Sequence, residues 1–352
     1  MIDFSRTYTM RWRVVRVDES TWDDGEIVPG VISVSINKDG TDSVPLLETL
    51  SMEVSKWGDM ADFEEGWYRV LLLASQGGLV ERVPLMTTLL QKADETVGYG
   101  SVTSSVSGTS VLKPLEDRKN IGTDYAYAPK GINGPNWVFD LIASTTPAPV
   151  RVVGEGFKLS NNILFSPGVS YLEMIWSVLD AGKWVMMIDG DGAIEILERP
   201  KTPSMNLASA NARSISSTFT RTLDYSGVCN RYYAIDRDGS MEIAKNEDPN
   251  SVLSYARRGR WVDYVDTSPN KINGETLYSY ARRRLEEEST LIREYKYDRE
   301  YWPDIVPFSL ISASLPSEGI DGQLRVLSQS ITCETGIVVS ETAGVEIKEW
   351  KA

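Results

Sequence analysis

The sequence predicts a mainly β protein with an α+β insertion, and three observations lead to this fold class. Residues 1–100 contain short runs of β-branched and aromatic residues separated by Gly- and Pro-containing turns. Residues 101–204 add helical periodicity, and residues 205–352 return to strand patterns around one helix. A chain of 352 residues also favours two or three domains. We therefore expect a small β-barrel domain at 1–100, a mixed helix and hairpin domain at 101–204, and a second β-barrel domain at 205–352 with helix 273–289 inserted.

Five strands are predicted in the first region, because polar and apolar residues alternate there as they do in half-buried strands. The alternation is clearest in the run Val-Ile-Ser-Val-Ser-Ile at 31–36, and Gly77-Gly78 predicts a hairpin turn. The predicted strands are 7–18, 31–36, 50–54, 67–74 and 79–86. Short strands at this spacing are typical of a sandwich or a barrel.

The start of the middle region is less regular. Residues 98–110 are rich in Ser, Gly and Thr, which favours a loop but is also compatible with an exposed strand. Pro135 then precedes apolar residues at helical spacing, from Trp137 to Ile142. Because proline is favoured in the first turn of a helix, this pattern predicts a helix that begins near Gly134.

A helix followed by a β-hairpin is predicted at 167–198. Ser170 and Glu173 have the spacing of a capping box, and Gly182 is expected to end the helix. The apolar face of this helix consists of Leu172, Ile175, Trp176 and Leu179. Strands at 183–188 and 193–197 follow, joined by the turn Asp189-Gly190-Asp191-Gly192.

The last region begins with a Pro- and Ser-rich stretch, 200–211, that is typical of a linker. Its helix, 273–289, is predicted with Asn273 as the cap and with three Arg/Glu pairs at i, i+4 on the outer face. The apolar face of the helix is Leu277, Tyr280, Ala281 and Leu285. The predicted strands are 214–223, 230–236, 239–244, 306–312, 323–333, 336–341 and 344–350.

Composition excludes several function classes. The chain has no histidine, which removes Ser-His-Asp and Cys-His catalysis and histidine metal sites. Its two cysteines, Cys229 and Cys333, are too few for a disulfide framework or a zinc ribbon. The formal net charge of −14 argues against nucleic-acid binding as the main purpose. No apolar run approaches ~20 residues and no signal peptide is evident, so we expect a soluble protein made inside a cell.

Two acidic turns resemble the start of a calcium loop without completing one. In a loop that starts at Asp189, positions 5 and 12 should supply calcium ligands, but these positions are Ala193 and Pro200. A hairpin turn that uses Asp and Gly is therefore the favoured interpretation. The run Asp236-Arg-Asp-Gly239 is interpreted in the same way.

Other candidate sites are also better explained by structure than by chemistry. Carboxylate pairs that could serve glycoside hydrolysis occur at Asp23-Asp24, Glu64-Glu65 and 286–288, in predicted turns or on a solvated helix face. Arg257-Arg258-Gly-Arg260 and Arg282 to Arg284 are expected to pair with acids or with an acidic partner. Gly154-Glu-Gly156 lacks the third glycine of a dinucleotide fingerprint. We therefore assign no catalytic, cofactor-binding or metal residue and expect a protein that is not an enzyme. The tryptophans, which could bind carbohydrate, are assigned to core packing.

The order of these elements resembles the baseplate-hub, or tail-tip, proteins of long-tailed bacteriophages. Three stretches carry the resemblance: the capping-box helix with its hairpin at 182–197, the strand Asn230-Arg-Tyr-Tyr-Ala-Ile-Asp236, and the Ala/Arg/Leu/Glu-rich helix that follows Trp261-Val-Asp-Tyr-Val265. The resemblance extends over most of the chain by element order, and its motifs are loose.

This resemblance implies two small β-barrels like those of tail-tube subunits, with a mixed domain between them. It implies a homotrimer that joins the six-fold tail tube to the three-fold tail tip in the virion. The implied partners are the distal tail protein, the tail tube, the tape-measure protein and fibre or spike proteins. It implies synthesis in the host cytoplasm, a share of the DNA channel, and no cofactor.

Three alternatives stay open beside this expectation. One is a distal-tail ring or injection-system hub protein, and a second is a cell-wall hydrolase that uses two carboxylates. The third is carbohydrate binding through tryptophans. Residues 1–100 carry 17 acidic and nine basic side chains. If this acid lines a channel, we expect it to repel DNA and prevent sticking.

Overall fold

The computed structural model describes residues 8–40, 46–55, 65–98, 101–121, 126–208, 218–236, 238–267, 269, 271, 275–303, 305–315, 320–334 and 337–348. The chain divides into two compact units. The first consists of Met1–Phe219 and Lys296–Ala343, and the second of Thr220–Tyr295 and Gly344–Ala352. The predicted three-domain division stays a prediction.

The first 110 residues form antiparallel strands. Alternating residues place one side of each strand in a core and the other toward solvent. The strands are β1 (Thr9–Val17), β2 (Asp24–Ile27), β3 (Val31–Asp39), β4 (Glu48–Ser55), β5 (Gly66–Gln76), β6 (Leu79–Gly98) and β7 (Ser101–Ser110). The stretch around 98–110 is therefore a strand, β7, where composition favoured a loop. Its valines and threonines pair with both β4 and β6, which satisfies its backbone on two sides.

The middle of the chain contains both helices and strands. Its elements are α1 (Lys113–Asp117), β8 (Ala126–Ala128), α2 (Gly134–Ala143), β9 (Val150–Val153), β10 (Ile163–Phe165), α3 (Tyr171–Gly182), β11 (Trp184–Ile188) and β12 (Ile194–Glu198). The capping box is present, because the Ser170 side chain accepts from the Glu173 N–H and the Glu173 carboxylate accepts from the Ser170 N–H. The core of this region includes Val138, Ile142, Leu172, Ile175, Leu179 and Ile196.

The predicted end of α3 is off by one residue. Gly182 is the last helical residue, and Lys183 adopts the left-handed conformation with φ 57°. A Cβ at Gly182 would lie 2.2 Å from the Phe157 ring. Glycine is therefore required at 182 for close packing and not for a positive φ.

The remainder of the chain is again mostly β. Its elements are β13 (Met205–Ala208), β14 (Thr220–Leu223), β15 (Arg231–Ile235), β16 (Met241–Lys245), α4 (Tyr255–Arg258), β17 (Asp263–Asp266), α5 (Leu277–Glu288), β18 (Thr290–Glu300), β19 (Leu310–Leu315), β20 (Ile320–Cys333) and β21 (Ile337–Lys348). The predicted linker 200–211 is wrong at β13, which pairs in parallel with β19 from Met205↔Ile311 onward. Residues 209–217, which contain part of a predicted strand, lie outside the described residues.

In α5 the cap differs from the prediction. The Thr276 side chain accepts from the Ser279 N–H, so Thr276 is the N-cap, and Asn273 lies outside the described residues. The Arg283–Glu287 and Arg284–Glu288 pairs are confirmed at 3.5 and 2.8 Å. Arg282 instead lies over the ring of Tyr278.

The first and last β regions of the first unit are joined edge to edge. In the main sheet the order runs β18-β21-β20-β3-β4-β7-β6-β5-β1-β2, with β19 also paired to β20. Strands β20 and β3 are antiparallel from Ser328↔Asp39 to Cys333↔Val34. Trp12 Nε1 also donates to the carbonyl of Glu334, 322 residues later, at 2.7 Å. None of the described sheets closes into a barrel, so the two predicted barrels are not confirmed.

Candidate functional site

The strands on both sides of the β20–β3 junction expose a face built from small hydroxyl side chains, which we call the hydroxyl face. It comprises the positions of β20, β3, β4 and β7 that alternate with the buried ones. Eleven of its 13 residues are Ser or Thr. The residues are Ser330, Thr332, Ser33, Ser35, Asn37, Thr49, Ser51, Glu53, Ser55, Thr103, Ser105, Ser107 and Thr109.

The register aligns these side chains into rows that cross all four strands. One row is Ser330, Asn37, Thr49 and Thr109. The next row is Thr332, Ser35, Ser51 and Ser107. Because neighbouring strands lie about 4.8 Å apart, each row extends over roughly 14 Å.

The opposite side of the same strands explains why the hydroxyls face outward. Ile36, Leu50, Met52, Val106 and Ile331 are all buried in one apolar cluster. Since side chains alternate along a strand, an apolar residue at every second position leaves the intervening Ser and Thr exposed or half-buried on the opposite side.

The hydroxyl face carries little charge. Glu53 is its one ionisable residue, and on the adjoining strand β6 Lys92 is paired with Asp94 at 2.5 Å. Hydroxyl groups donate and accept hydrogen bonds and exchange them readily with water. A face without unpaired cations offers no group that neutralises phosphate, so it cannot hold a polyanion tightly.

From the sequence we expect acidic side chains to keep DNA from binding to a channel wall. The hydroxyl face differs from that expectation, because its side chains are mostly neutral. The exposed acids of the first region include Asp18, Glu19, Asp23 and Glu26, which lie in the segment between β1 and β3. They are not on the hydroxyl face. Neutral hydroxyls, rather than carboxylates, make up most of the hydroxyl face.

The turn Asp189-Gly190-Asp191-Gly192 is a hairpin turn, as the sequence favoured. Asp189 Oδ1 accepts from the Ala193 N–H at 2.8 Å, and β11 pairs with β12. The turn packs against the first β region, because Thr87 Oγ1 donates to the Gly190 carbonyl at 3.0 Å. A Cβ at Gly190 would lie 1.9 Å from the Pro84 carbonyl oxygen, so no side chain fits there.

Two arginines of the first β region hold the same turn. Arg69 is 2% exposed and donates to Thr87 Oγ1 at 2.8 Å and to Asp24 Oδ1 at 2.6 Å. Arg82 bridges the carboxylates of Asp24 and Asp191 at 2.5 and 2.9 Å. Burial alone would raise the pKa of Asp24, but the hydrogen bonds from Arg82 and Arg69 outweigh it and hold that pKa below its usual value.

Several carboxylates of the candidate pairs form ion pairs with arginine. Asp24 belongs to the arginine cluster just described, and Glu64 lies outside the described residues. Glu287 and Glu288 accept from Arg284 at 2.9 and 2.8 Å. Asp24 does lie near a second carboxylate, that of Asp191, but Arg82 pairs with both of them.

Two arginines of the basic run 257–260 make hydrogen bonds to backbone carbonyls of the second unit. Arg258 donates to the carbonyls of Val228 and Tyr225 at 2.6 and 2.8 Å. Arg257 donates to the Pro249 carbonyl at 3.2 Å. These contacts close the loop around α4.

Two buried ion pairs lie among the strands of the main sheet, the first of them between β3 and β4. Lys38 and Glu48 are 2.7 Å apart, and burial raises the pKa of Glu48. Glu48 Oε2 has no hydrogen-bond partner in the structure. The adjacent cavity has about 20 Å³, enough for one water molecule.

The second buried pair is Arg299 and Glu341, 2.7 Å apart. Tyr297 Oη also donates to Glu341, and Gln329 Nε2 donates to it at 2.7 Å. Burial and the neighbouring carboxylate raise the pKa of Tyr297. The donors of Arg299, Tyr297 and Gln329 all bond to the Glu341 carboxylate, as expected for a network with a structural role.

The Gly154-Glu155-Gly156 run lines an open groove of about 480 Å³. The rings of Phe157 and Trp184 lie in its wall, 6.0 Å apart. The glycines allow the chain to turn beside these rings, at φ 110° for Gly154. We therefore explain the two glycines by their packing beside the rings of Phe157 and Trp184.

The cysteines are both free and buried, at 2% and 0% exposure. Burial raises the pKa of each thiol to about 12. Thiolate is the reactive form, so neither is suited to nucleophilic chemistry. Among the described residues no three Cys, Asp or Glu side chains converge as metal ligands, and no helix is long and apolar enough for a membrane span.

Sequence reasoning did not identify the hydroxyl face. The available signal was a small polar residue, mostly Ser or Thr, at every second position in 33–37, 49–55, 103–109 and 328–332. The alternation in 31–36 and 50–54 predicts strands, but the loop-like composition of 98–110 masks the signal in β7.

No protein-family model and no curated protein matches the chain. Solved structures do. A tail protein from Neisseria meningitidis MC58 has a TM-score of 0.67 at 15% identity, covering 95% of this chain and 96% of that one. The 43 kDa tail protein of prophage MuSo2 from Shewanella oneidensis has a TM-score of 0.65 at 13% identity, covering 95% and 98%.

A component of the Escherichia coli type VI secretion system also matches, with a TM-score of 0.52 at 10% identity, covering 96% of this chain and 76% of that one. That protein is described as structurally similar to bacteriophage T4 tail proteins. The predicted resemblance to phage tail proteins is therefore confirmed at the level of the fold.

Proposed function

We propose that this chain, which has the fold of phage tail proteins, is a virion structural protein that acts as the hub of the tail or baseplate. The observation that carries the proposal is the β20–β3 junction, which joins the first and last β regions into one sheet. A molecule that must hold its shape while other proteins attach to it benefits from such a junction, since the backbone hydrogen bonds make one continuous element.

We propose that the hub is a homotrimer. Each chain contributes two β regions, so three chains present six, which matches a six-fold tail tube above a three-fold tip. The partners in this assembly are the tail tube, the distal tail protein, the tape-measure protein and fibre or spike proteins. The two barrel-like domains belong to this proposal, with 1–100 and 205–352 as their extents and 101–204 between them.

The hydroxyl face supports a share in the DNA channel. A duplex that passes through a channel must not be held, and cationic side chains would hold it through its phosphates. The hydroxyl face presents neutral groups that keep a layer of water, with Glu53 as its single charge. In this role the protein acts mechanically and performs no catalysis at the virion tail tip during DNA ejection.

An injection-system hub is the second candidate, because the type VI secretion component has the same fold over 96% of this chain. A distal-tail ring protein would differ from both in symmetry, since it would be six-fold. A carboxylate-dependent cell-wall hydrolase has no described pair of facing acids in its favour.

Electron microscopy of the purified chain, combined with a mass measurement in solution, tests the proposal. Three-fold particles with a central opening wide enough for duplex DNA are expected. Particles with six-fold symmetry would indicate a ring protein, and a monomer at all concentrations would refute the hub. Incubation with peptidoglycan is the control for hydrolase activity, and no release of fragments is expected.

A further inference from the structure

In the part of the second unit that the structure describes, one face of the small sheet is covered by a helix. Its strand order is β16-β15-β17, and α5 packs against one face. Tyr232, Ala234 and Ala244 on that face form a cluster with Tyr280 and Leu285 of the helix. The alternate residues of the same strands point the other way.

The uncovered face, which we call the aromatic–cationic face, exposes apolar side chains. Met241 is 52% exposed and Val265 is 55% exposed. Arg231, Tyr233 and Lys245 lie on the same face by alternation. Exposed apolar groups beside aromatic residues and arginine are typical of protein contact surfaces.

Trp261 is the centre of this face. The Tyr255 ring stacks on it with centroids 4.7 Å apart. The guanidinium of Arg231 lies 5.1 Å and the ammonium of Lys245 lies 5.9 Å from the indole centroid. These contacts restrict the side chains before any partner binds, so little conformational entropy is lost on binding.

The charge of this face is positive. Arg231 is neutralised by Asp263, with two hydrogen bonds of 2.6 and 2.7 Å. Lys245 and Arg260, which precedes Trp261, are exposed and have no carboxylate partner among the described residues. Lys245 on this face and Arg260 beside Trp261 in the sequence therefore make this part of the second unit basic within a chain of net charge −14.

A complementary surface exists in the first unit, in the segment 18–27, which we call the acidic loop. Asp18, Glu19, Asp23 and Glu26 are exposed there, and Ile27 adds a side chain that is 56% exposed. The loop is ordered, because Asp18 Oδ1 accepts from the N–H groups of Ser20 and Thr21 at 2.8 and 3.0 Å. It combines carboxylates with an apolar group, as a partner of the aromatic–cationic face must.

We propose that the aromatic–cationic face of one copy binds the acidic loop of a second copy. The inference rests on the proposed function, which requires several copies in one assembly. Charge complementarity is the argument for this occupant. The acidic loop also carries the apolar Ile27, which can contact Met241 and Val265 as a phosphate backbone cannot, so a second copy is favoured over nucleic acid.

A charge-swap experiment on the full-length chain tests the proposal. The first variant carries Lys245→Glu and Arg260→Glu, the second carries Glu19→Lys and Glu26→Lys, and the third carries all four. Self-association is measured by analytical ultracentrifugation at low and high salt. Each double variant should raise the dissociation constant about tenfold or more, and the quadruple variant should restore most of the loss.

The matched control is Lys130→Glu with Lys158→Glu, which makes the same charge change at two other exposed lysines. Circular dichroism confirms that each variant folds. A wild type that assembles normally but is insensitive to the swaps would overturn the inference alone, and so would a quadruple variant that is not restored. A wild type that never self-associates would overturn the proposed hub together with the inference. Duplex or single-stranded DNA bound through Lys245 and Arg260 in place of a second copy would also overturn it.

Discussion

Arg69 Nη2 donates a hydrogen bond of 2.9 Å to the backbone carbonyl of Asp191, 122 residues later in the chain. Through this contact a buried guanidinium of the first β region holds the hairpin turn of the middle region. The turn is thereby fixed by the side chain of a strand and not by its own two strands alone.

Replacing Arg69 with Met should lower the free energy of unfolding by about 3 kcal/mol, because two carbonyl groups lose a buried donor and Asp24 keeps only its contact with Arg82. Urea denaturation followed by tryptophan fluorescence measures the change. Arg82→Met is the matched control. Arg82 contacts the same carboxylate but is 37% exposed, so its loss should cost below about 1 kcal/mol. Equal effects of the two variants would contradict the role given to burial.

Gly190→Ala should destabilise the protein by about 3 kcal/mol, since the added Cβ meets the Pro84 carbonyl at 1.9 Å and the turn must move. Thermal unfolding followed by circular dichroism measures this loss. Gly239→Ala is a control in the other hairpin turn. Gly239 has φ 86° but nothing near its Cβ position, so only the backbone strain of about 1 kcal/mol is expected. A smaller loss at Gly190 than at Gly239 would show that the turn is not tightly docked.

Tyr297→Phe should cost about 1–2 kcal/mol at neutral pH, because Glu341 loses one buried donor. The pKa of Tyr297 is raised by burial and by Glu341 from an ordinary value of 10.0. The hydroxyl therefore contributes stability that is fully present below pH 10.0 and is lost as the pH rises further, because the unfolded chain then releases a proton that the folded chain keeps. The stability difference between wild type and variant should shrink above that pH in urea titrations. Tyr127→Phe, at an exposed tyrosine, should change stability little at neutral pH. A Tyr297→Phe difference that grows with alkaline pH would refute this account.

Ser51→Lys combined with Ser107→Lys places two cations side by side on the hydroxyl face, since these residues are cross-strand neighbours. If DNA passes over this face, the lysines should slow ejection severalfold, and the effect should weaken at high salt. Ejection from virions assembled with the variant is followed by a DNA-binding dye. Ser160→Lys with Ser177→Lys, at exposed serines outside the face, should leave the rate unchanged. Equal rates in all three proteins would remove the hydroxyl face from the channel.

Local elements were predictable where a few neighbouring residues determine them. The helix α3 and its hairpin followed from the capping box at Ser170 and the Asp-Gly turn at 189–192. The end of α3 was misplaced because Gly182 is selected by its contact with Phe157, which lies 25 residues earlier in the sequence and is close only in the fold.

Long-range pairing was not predictable. The β20–β3 junction depends on a register between the two ends of the chain, and composition carries no record of register. The hydroxyl face was missed for the same reason. Serine at every second position indicates an exposed face in each strand, but only the pairing of four strands makes one surface of it.

The β20–β3 pairing has a consequence for biosynthesis. While the ribosome adds the chain at roughly 5–20 residues per second, β3 emerges long before its partner β20, so one side of β3 waits on the order of tens of seconds. An unpaired strand edge in that interval is a template for association with other nascent chains. The completed chain removes this hazard, because the arrival of β20 covers the edge of β3 with a strand from the same molecule.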